Sequence, residues 1–205
     1  MNKALLFSLL FTPALMAETV SLEYKEFYER LNVVNKSGVQ LVELTFSVAP
    51  ADKCPLEGGQ ITSGSQSYPL TISRDQRLLL PFDEQLKLDR ALIQLTISGE
   101  ENRCGLAMQL RERQPMMNYS AERLTQLLTE MDKVLDNMQG FPLKYFRKPI
   151  DGLSFEFVDD GAMVILDGVS KAAGSKFTLS KEDLAQVKIV QFSQVPKVVS
   201  PWINQ

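Results

Sequence analysis

Leu92-Ile93-Gln94-Leu95-Thr96-Ile97-Ser98, the polar run Gly99-Glu100-Glu101-Asn102-Arg103, and then Cys104-Gly105-Leu106-Ala107-Met108-Gln109-Leu110 are the residues from which the fold is read outward. Ile93, Leu95 and Ile97 alternate with Gln94, Thr96 and Ser98, the period of a strand with one buried face. Residues 99–103 make a polar turn. Beyond it Cys104, Leu106, Met108 and Leu110 share one face, which predicts that Cys104 points with them into a core.

The second cysteine, Cys54, follows another alternating run, Val42, Leu44, Phe46 and Val48 against Glu43, Thr45 and Ser47. A bond between Cys54 and Cys104 would tie two strands of one β-rich unit and close a loop of roughly fifty residues, worth about 4 kcal/mol by chain entropy. Residues 54–67, with Pro55, Gly58, Gly59 and Gly64, read as loop. Tyr68, Leu70 and Ile72 give one strand face, and residues 77–80 a short strand stopped by Pro81. Five or so short strands with turn signals between them predict an antiparallel, sandwich-like unit. Upstream, Val20, Leu22 and Tyr24 alternate as a brief strand. Tyr24, Phe27, Tyr28 and Leu31 then fall on one face of a short helix expected to end before Asn35.

Pro115 marks a boundary. Ser120 is a good N-cap, and Leu124, Leu127, Leu128, Met131, Val134, Leu135 and Met138 keep helical spacing until Gly140 and Pro142 stop them. Leu153, Phe155 and Phe157, then Ala162, Val164 and Leu166, read as a hairpin turning at Asp159-Asp160-Gly161. Residues 167–174 read as loop, Phe177 and Leu179 as a short strand, Ser180 with Asp183 as a capping box, and residues 187–192 as the last strand before a tail holding Pro196, Pro201 and Trp202. The expected class is mixed α+β: a disulfide-tied, sandwich-like half (18–113), then one long helix packed on a small antiparallel sheet (114–205).

Residues 1–17 read as a secretory signal, with Lys3 as its positive end and residues 4–11 as its apolar centre, so the mature chain is expected to start near Glu18 in the periplasm. That run is far short of the roughly 20 residues a spanning helix needs, and no later one is longer, so no integral membrane segment is expected. An oxidising compartment agrees with a disulfide. The net charge of −3 is the wrong sign for a nucleic-acid footprint.

The chain has no histidine, which removes Ser-His and Cys-His nucleophile pairs and the commonest metal ligand. With both cysteines bonded, no thiolate or zinc site remains. No serine has a lysine three residues later, and Gly168-Val169-Ser170-Lys171-Ala172 lacks the final glycine of a nucleophile elbow. The pairs Asp159-Asp160 and Glu100-Glu101 sit at expected turns, where neighbouring side chains diverge. No cofactor, metal or catalytic residue is expected.

Lys144-Tyr145-Phe146-Arg147-Lys148 is the one basic cluster interleaved with aromatics. The bland reading, and the preferred one, is a solvated strand edge with its two rings buried. The functional reading is a contact with an envelope protein or an anionic envelope component, joined by Trp202 of the tail.

The order of signal peptide, aromatic helix from Tyr24, Cys54-Pro55, Leu80-Pro81-Phe82-Asp83, Cys104, Asp151-Gly152-Leu153 and the Val195-Pro196 tail resembles a family of small secreted gamma-proteobacterial proteins known as domain of unknown function 2987. The resemblance implies no activity and no site residues. The expected function is that of an exported, non-catalytic protein binding or supporting another envelope component. The alternative is a carboxylate-dependent hydrolase of envelope material.

Overall fold

The computed structural model describes residues 18–49, 52–98, 104–140 and 142–204. The expected signal at 1–17 and the expected turn at 99–103, with Glu100 and Glu101, lie outside the described residues. The first half runs β1 (Glu18–Glu23), α1 (Tyr24–Lys36), β2 (Val42–Ala49), β3 (Leu56–Ser63), β4 (Gln66–Pro69), β5 (Thr71–Ile72), β6 (Arg77–Leu79), α2 (Glu84–Leu88), β7 (Leu92–Ile97) and β8 (Gly105–Glu112). It forms two antiparallel four-stranded sheets, β1-β7-β3-β4 and β5-β6-β2-β8. Ile61, Ile93, Leu95 and Ile97 of one sheet, and Leu44, Phe46, Val48 and Leu78 of the other, are buried in a shared core. Cys54 and Cys104 are bonded, their Cα atoms 5.5 Å apart.

The second half runs β9 (Asn118–Ser120), α3 (Ala121–Gln139), β10 (Gly152–Glu156), β11 (Met163–Leu166), β12 (Val169–Ala172), β13 (Lys176–Ser180), α4 (Lys181–Leu184), β14 (Ile189–Phe192) and β15 (Val198–Trp202). Its antiparallel sheets are β12-β11-β14-β9 and β13-β10-β15. The chain is therefore mixed α+β. Ser120 caps α3 as expected, its hydroxyl accepting from Arg123 N, and Gly140 ends the helix at φ +68°. The helix packs on β2, β8 and α1 as well as on β9 and α4. Glu130 of α3 accepts from Gln40 N and Leu41 N, at 3.0 and 2.7 Å.

Four local expectations are corrected. Residues 56–69 are a hairpin, not a loop. Gly59 sits there because a Cβ would come within 3.0 Å of Leu95 Cδ2 and 3.2 Å of Leu70 Cδ2. The face Tyr68, Leu70, Ile72 is split, because β4 belongs to one sheet and β5 to the other. The aromatic helix reaches Lys36, since Val34 carries the buried stripe a turn beyond Leu31. The hairpin expected around Asp159-Asp160-Gly161 does not form: β10 pairs with β13 and β15, and β11 with β12 and β14. Phe157 and Ala162 are both buried while residues 158–161 between them are exposed, so the connection passes over the surface from one sheet to the other. The Asp-Gly turn lies instead at Asp167-Gly168, inside the expected loop, with φ +47° and +91°, the positive values a two-residue hairpin turn demands.

β15 was expected as tail. It carries Pro201 on the edge strand of its sheet, where a missing N–H is tolerated. Its partner β10 is central, and Gly152 at its start faces Leu179 and Ser180 so closely that a Cβ would overlap the Leu179 carbonyl and lie 2.9 Å from Ser180 Cα. Those obstacles are backbone. Gly152→Ala is therefore expected to force β10 and β13 apart at a cost of about 2–3 kcal/mol, read as a lower urea midpoint. An unchanged midpoint would show that the strands can part freely.

Candidate functional site

After α3 the chain turns sharply. Lys144 N donates to Gly140 O at 2.8 Å, Tyr145 N to Pro142 O at 3.1 Å and Phe146 N to Leu143 O at 2.9 Å, which winds Leu143–Tyr145 into a 3-10 turn. The expected strand edge with buried rings is not formed. Leu143 is 60% exposed, Tyr145 70% and Phe146 80%. Lys144 Nζ stands 5.2 Å from the Tyr145 ring centroid.

Arg147 is unlike its basic neighbours. Its side chain is only 9% exposed. Nε donates to Asp136 Oδ1 at 2.8 Å, Nη2 to Asp132 Oδ1 at 2.7 Å, and Nη1 to its neighbour's carbonyl, Lys148 O, at 3.1 Å. Burial opposes its charge, but the bonds to Asp132 and Asp136 outweigh that and hold its pKa above the ordinary guanidinium value. Arg147 thus bolts the turn to two carboxylates one helical turn apart on α3. The side chains left at the surface are Leu143, Lys144, Tyr145, Phe146 and Lys148. Trp202 is a half-buried residue of β15 opposite Gly152, and its carbonyl accepts from Asp151 N at 2.8 Å.

Two other concavities bear on function. An apolar groove of about 330 Å³ runs between the edge strand β1 and β8, lined by Val20, Leu22, Leu95, Ile97 and Leu106. Leu106 and Met108 stand exposed beside it, so the face expected to follow Cys104 into the core reaches it only at Leu110. The alternation holds, but at that edge the apolar side chains line the open groove between β1 and β8 instead of a closed core. A cleft of about 650 Å³ borders α2 and holds Asp83 and Asp89. Both carboxylates are occupied: Asp83 accepts from Gln85 N at 2.8 Å, and Asp89 from Gln85 Nε2 at 2.7 Å and Ser63 Oγ at 3.3 Å.

Asp159 and Asp160 are exposed in the crossing between β10 and β11. Among the described residues no group of three or more Cys, Asp and Glu side chains could hold a metal ion, and no helix is long and apolar enough to cross a membrane. Sequence reasoning missed Leu143 as part of the exposed turn. An apolar residue straight after the Gly140-Phe141-Pro142 stop was the available signal.

The family model described as Protein of unknown function (DUF2987) matches residues 16–157, a span that contains the whole turn and excludes Trp202. No curated protein and no solved structure matches the chain.

Proposed function

The chain belongs to the DUF2987 family, whose function is unknown, so its role has to be argued from its own surface, and we propose that it is an exported, non-catalytic protein that binds or supports another component of the cell envelope. The observation that carries this reading is the turn at 142–148, where Leu143, Tyr145 and Phe146 stand in water while Arg147 fixes the backbone beneath them. Large apolar side chains clustered on a surface mark interaction sites more often than they mark anything else. Trp202 and the basic side chains Lys144 and Lys148 belong to the same proposed contact, with Arg147 as its support.

Periplasmic export rests on the leader-like residues 1–17, and the disulfide points to an oxidising compartment. The proposed units, 18–113 and 114–205, share α3 as a common wall. The hydrolase alternative gains little from Asp83 and Asp89: Asp83 caps α2 through one oxygen, and both oxygens of Asp89 accept from Gln85 and Ser63.

Affinity capture from envelope extract tests the reading, with the exported chain beside a variant carrying Lys144→Ala, Phe146→Ala and Lys148→Ala. An envelope component enriched on the first and lost on the second is the expected result. The same set captured by both would remove the turn from the proposal.

A further inference from the structure

Resting on that reading, we infer that the component met by the turn is an anionic lipid surface, with Leu143, Tyr145 and Phe146 entering the bilayer interface and Lys144 and Lys148 meeting lipid phosphates. Size decides first. An aromatic side chain buries about 150–250 Å², so the three apolar side chains of the turn supply at most about 450–750 Å² even if fully covered, short of the roughly 800 Å² per partner of a stable protein interface. A bilayer makes no such demand, because it closes around whatever is inserted.

Side-chain chemistry agrees. Tyrosine at an interface keeps its ring in the acyl boundary and its hydroxyl in water, while leucine and phenylalanine go deeper. Lys144 Nζ stands over the Tyr145 ring, so a ring seated at the interface brings an ammonium with it, within reach of a lipid phosphate. Neither Lys144 nor Lys148 is ion-paired with a carboxylate among the described residues. Arg147 offsets one of the two charges of Asp132 and Asp136 beneath the turn, and Lys144 with Lys148 bring these five groups to a net +1. The whole chain carries −3, so an anionic surface repels most of the molecule and attracts this end, which fixes the orientation of approach.

The Arg147 anchor completes the case. The turn is tied to α3 before any contact, so insertion does not require ordering it first.

The test is co-sedimentation of the exported chain, residues 18–205, with vesicles of phosphatidylcholine alone and of phosphatidylcholine mixed with phosphatidylglycerol. Binding to the mixed vesicles only is expected. A Lys144→Ala, Lys148→Ala variant should bind them about thirtyfold more weakly, near fivefold for each lysine. A Leu143→Ala, Tyr145→Ala, Phe146→Ala variant, with an unchanged circular dichroism spectrum and melting temperature, should lose binding altogether. Equal binding to both vesicle types, or unchanged binding of the ring variant, overturns the lipid assignment. The unmodified chain and the Leu143→Ala, Tyr145→Ala, Phe146→Ala variant are run against lipid-depleted envelope proteins. Ring-dependent capture there without vesicle binding sinks the lipid assignment and leaves the binding role standing, whereas no capture and no vesicle binding sinks both.

Discussion

Glu112→Ala is expected to remove about 3–5 kcal/mol of unfolding free energy, the loss found when one partner of a buried ion pair is deleted. The Glu112 side chain is fully buried at the end of β8. One carboxylate oxygen accepts from Tyr119 Oη of β9 at 2.6 Å, the other from Arg123 Nη2 of α3 at 2.8 Å. Tyr119 Oη in turn accepts from Met116 N at 2.9 Å. Deleting the carboxylate strands a largely buried guanidinium and a hydroxyl, on elements that join the first half of the chain to the second. Tyr119→Phe removes two hydrogen bonds, the one donated to Glu112 and the one accepted from Met116 N, and keeps the ion pair, so its loss should be about 2 kcal/mol. Urea unfolding of the two variants decides it: a Glu112→Ala loss no larger than that of Tyr119→Phe would mean that water reaches the site.

The same cluster sets a pH limit. Burial, then the hydrogen bond to Glu112 and its charge, push the Tyr119 pKa above its ordinary 10.0. A group raised in the folded state gives its full stabilisation below the unfolded pKa, so the contribution is intact below pH 10 and declines as the pH rises past it. Tyr24, raised chiefly by burial, adds in the same direction. The urea midpoint should fall between about pH 9 and about pH 11, and fall less in Tyr119→Phe.

Opening the disulfide, by Cys54→Ser with Cys104→Ser, should cost about 4 kcal/mol for a loop of 50 residues. The loop holds β3 to β7, five of the eight strands of the first two sheets, so releasing it enlarges the unfolded ensemble where the fold has most to organise. Cys54 is also fully buried, and its carbonyl accepts from Gln76 Nε2 at 2.9 Å. Gln76 itself is held at φ +58°, with its side-chain oxygen accepting from Leu56 N at 2.6 Å. Denaturation of oxidised and reduced protein measures the effect, and a difference within about 1 kcal/mol would show the cross-link to be dispensable.

What the sequence made legible was local and periodic. Ser120, the leucine-methionine stripe and Gly140 specify α3 because cap, face and stop act within a few residues of one another. β2 and β7 alternate cleanly because one face of each meets the core. What escaped depends on distant partners. Gly58 and Gly59 look like loop by composition, yet Gly59 is small because Leu95 and Leu70 press against it. Leu106 and Met108 keep a strand's period, but nothing in their spacing says that they are left exposed beside a groove instead of being covered. At the site, the basic aromatic cluster stood out by composition alone. That Arg147 faces inward while Lys144 and Lys148 face outward follows from Asp132 and Asp136, carboxylates on another element.

The passage of one short segment from sheet to sheet has a further consequence, for cooperativity. Leu70 N donates to Gly59 O, in the sheet of β3, while the next residue, Thr71, pairs with Leu79 in the sheet of β2. With no slack between β4 and β5, neither sheet can open while the other stays closed. Their amides should therefore exchange through one shared opening event, and spectroscopic probes placed on either sheet should report a single, coincident unfolding transition.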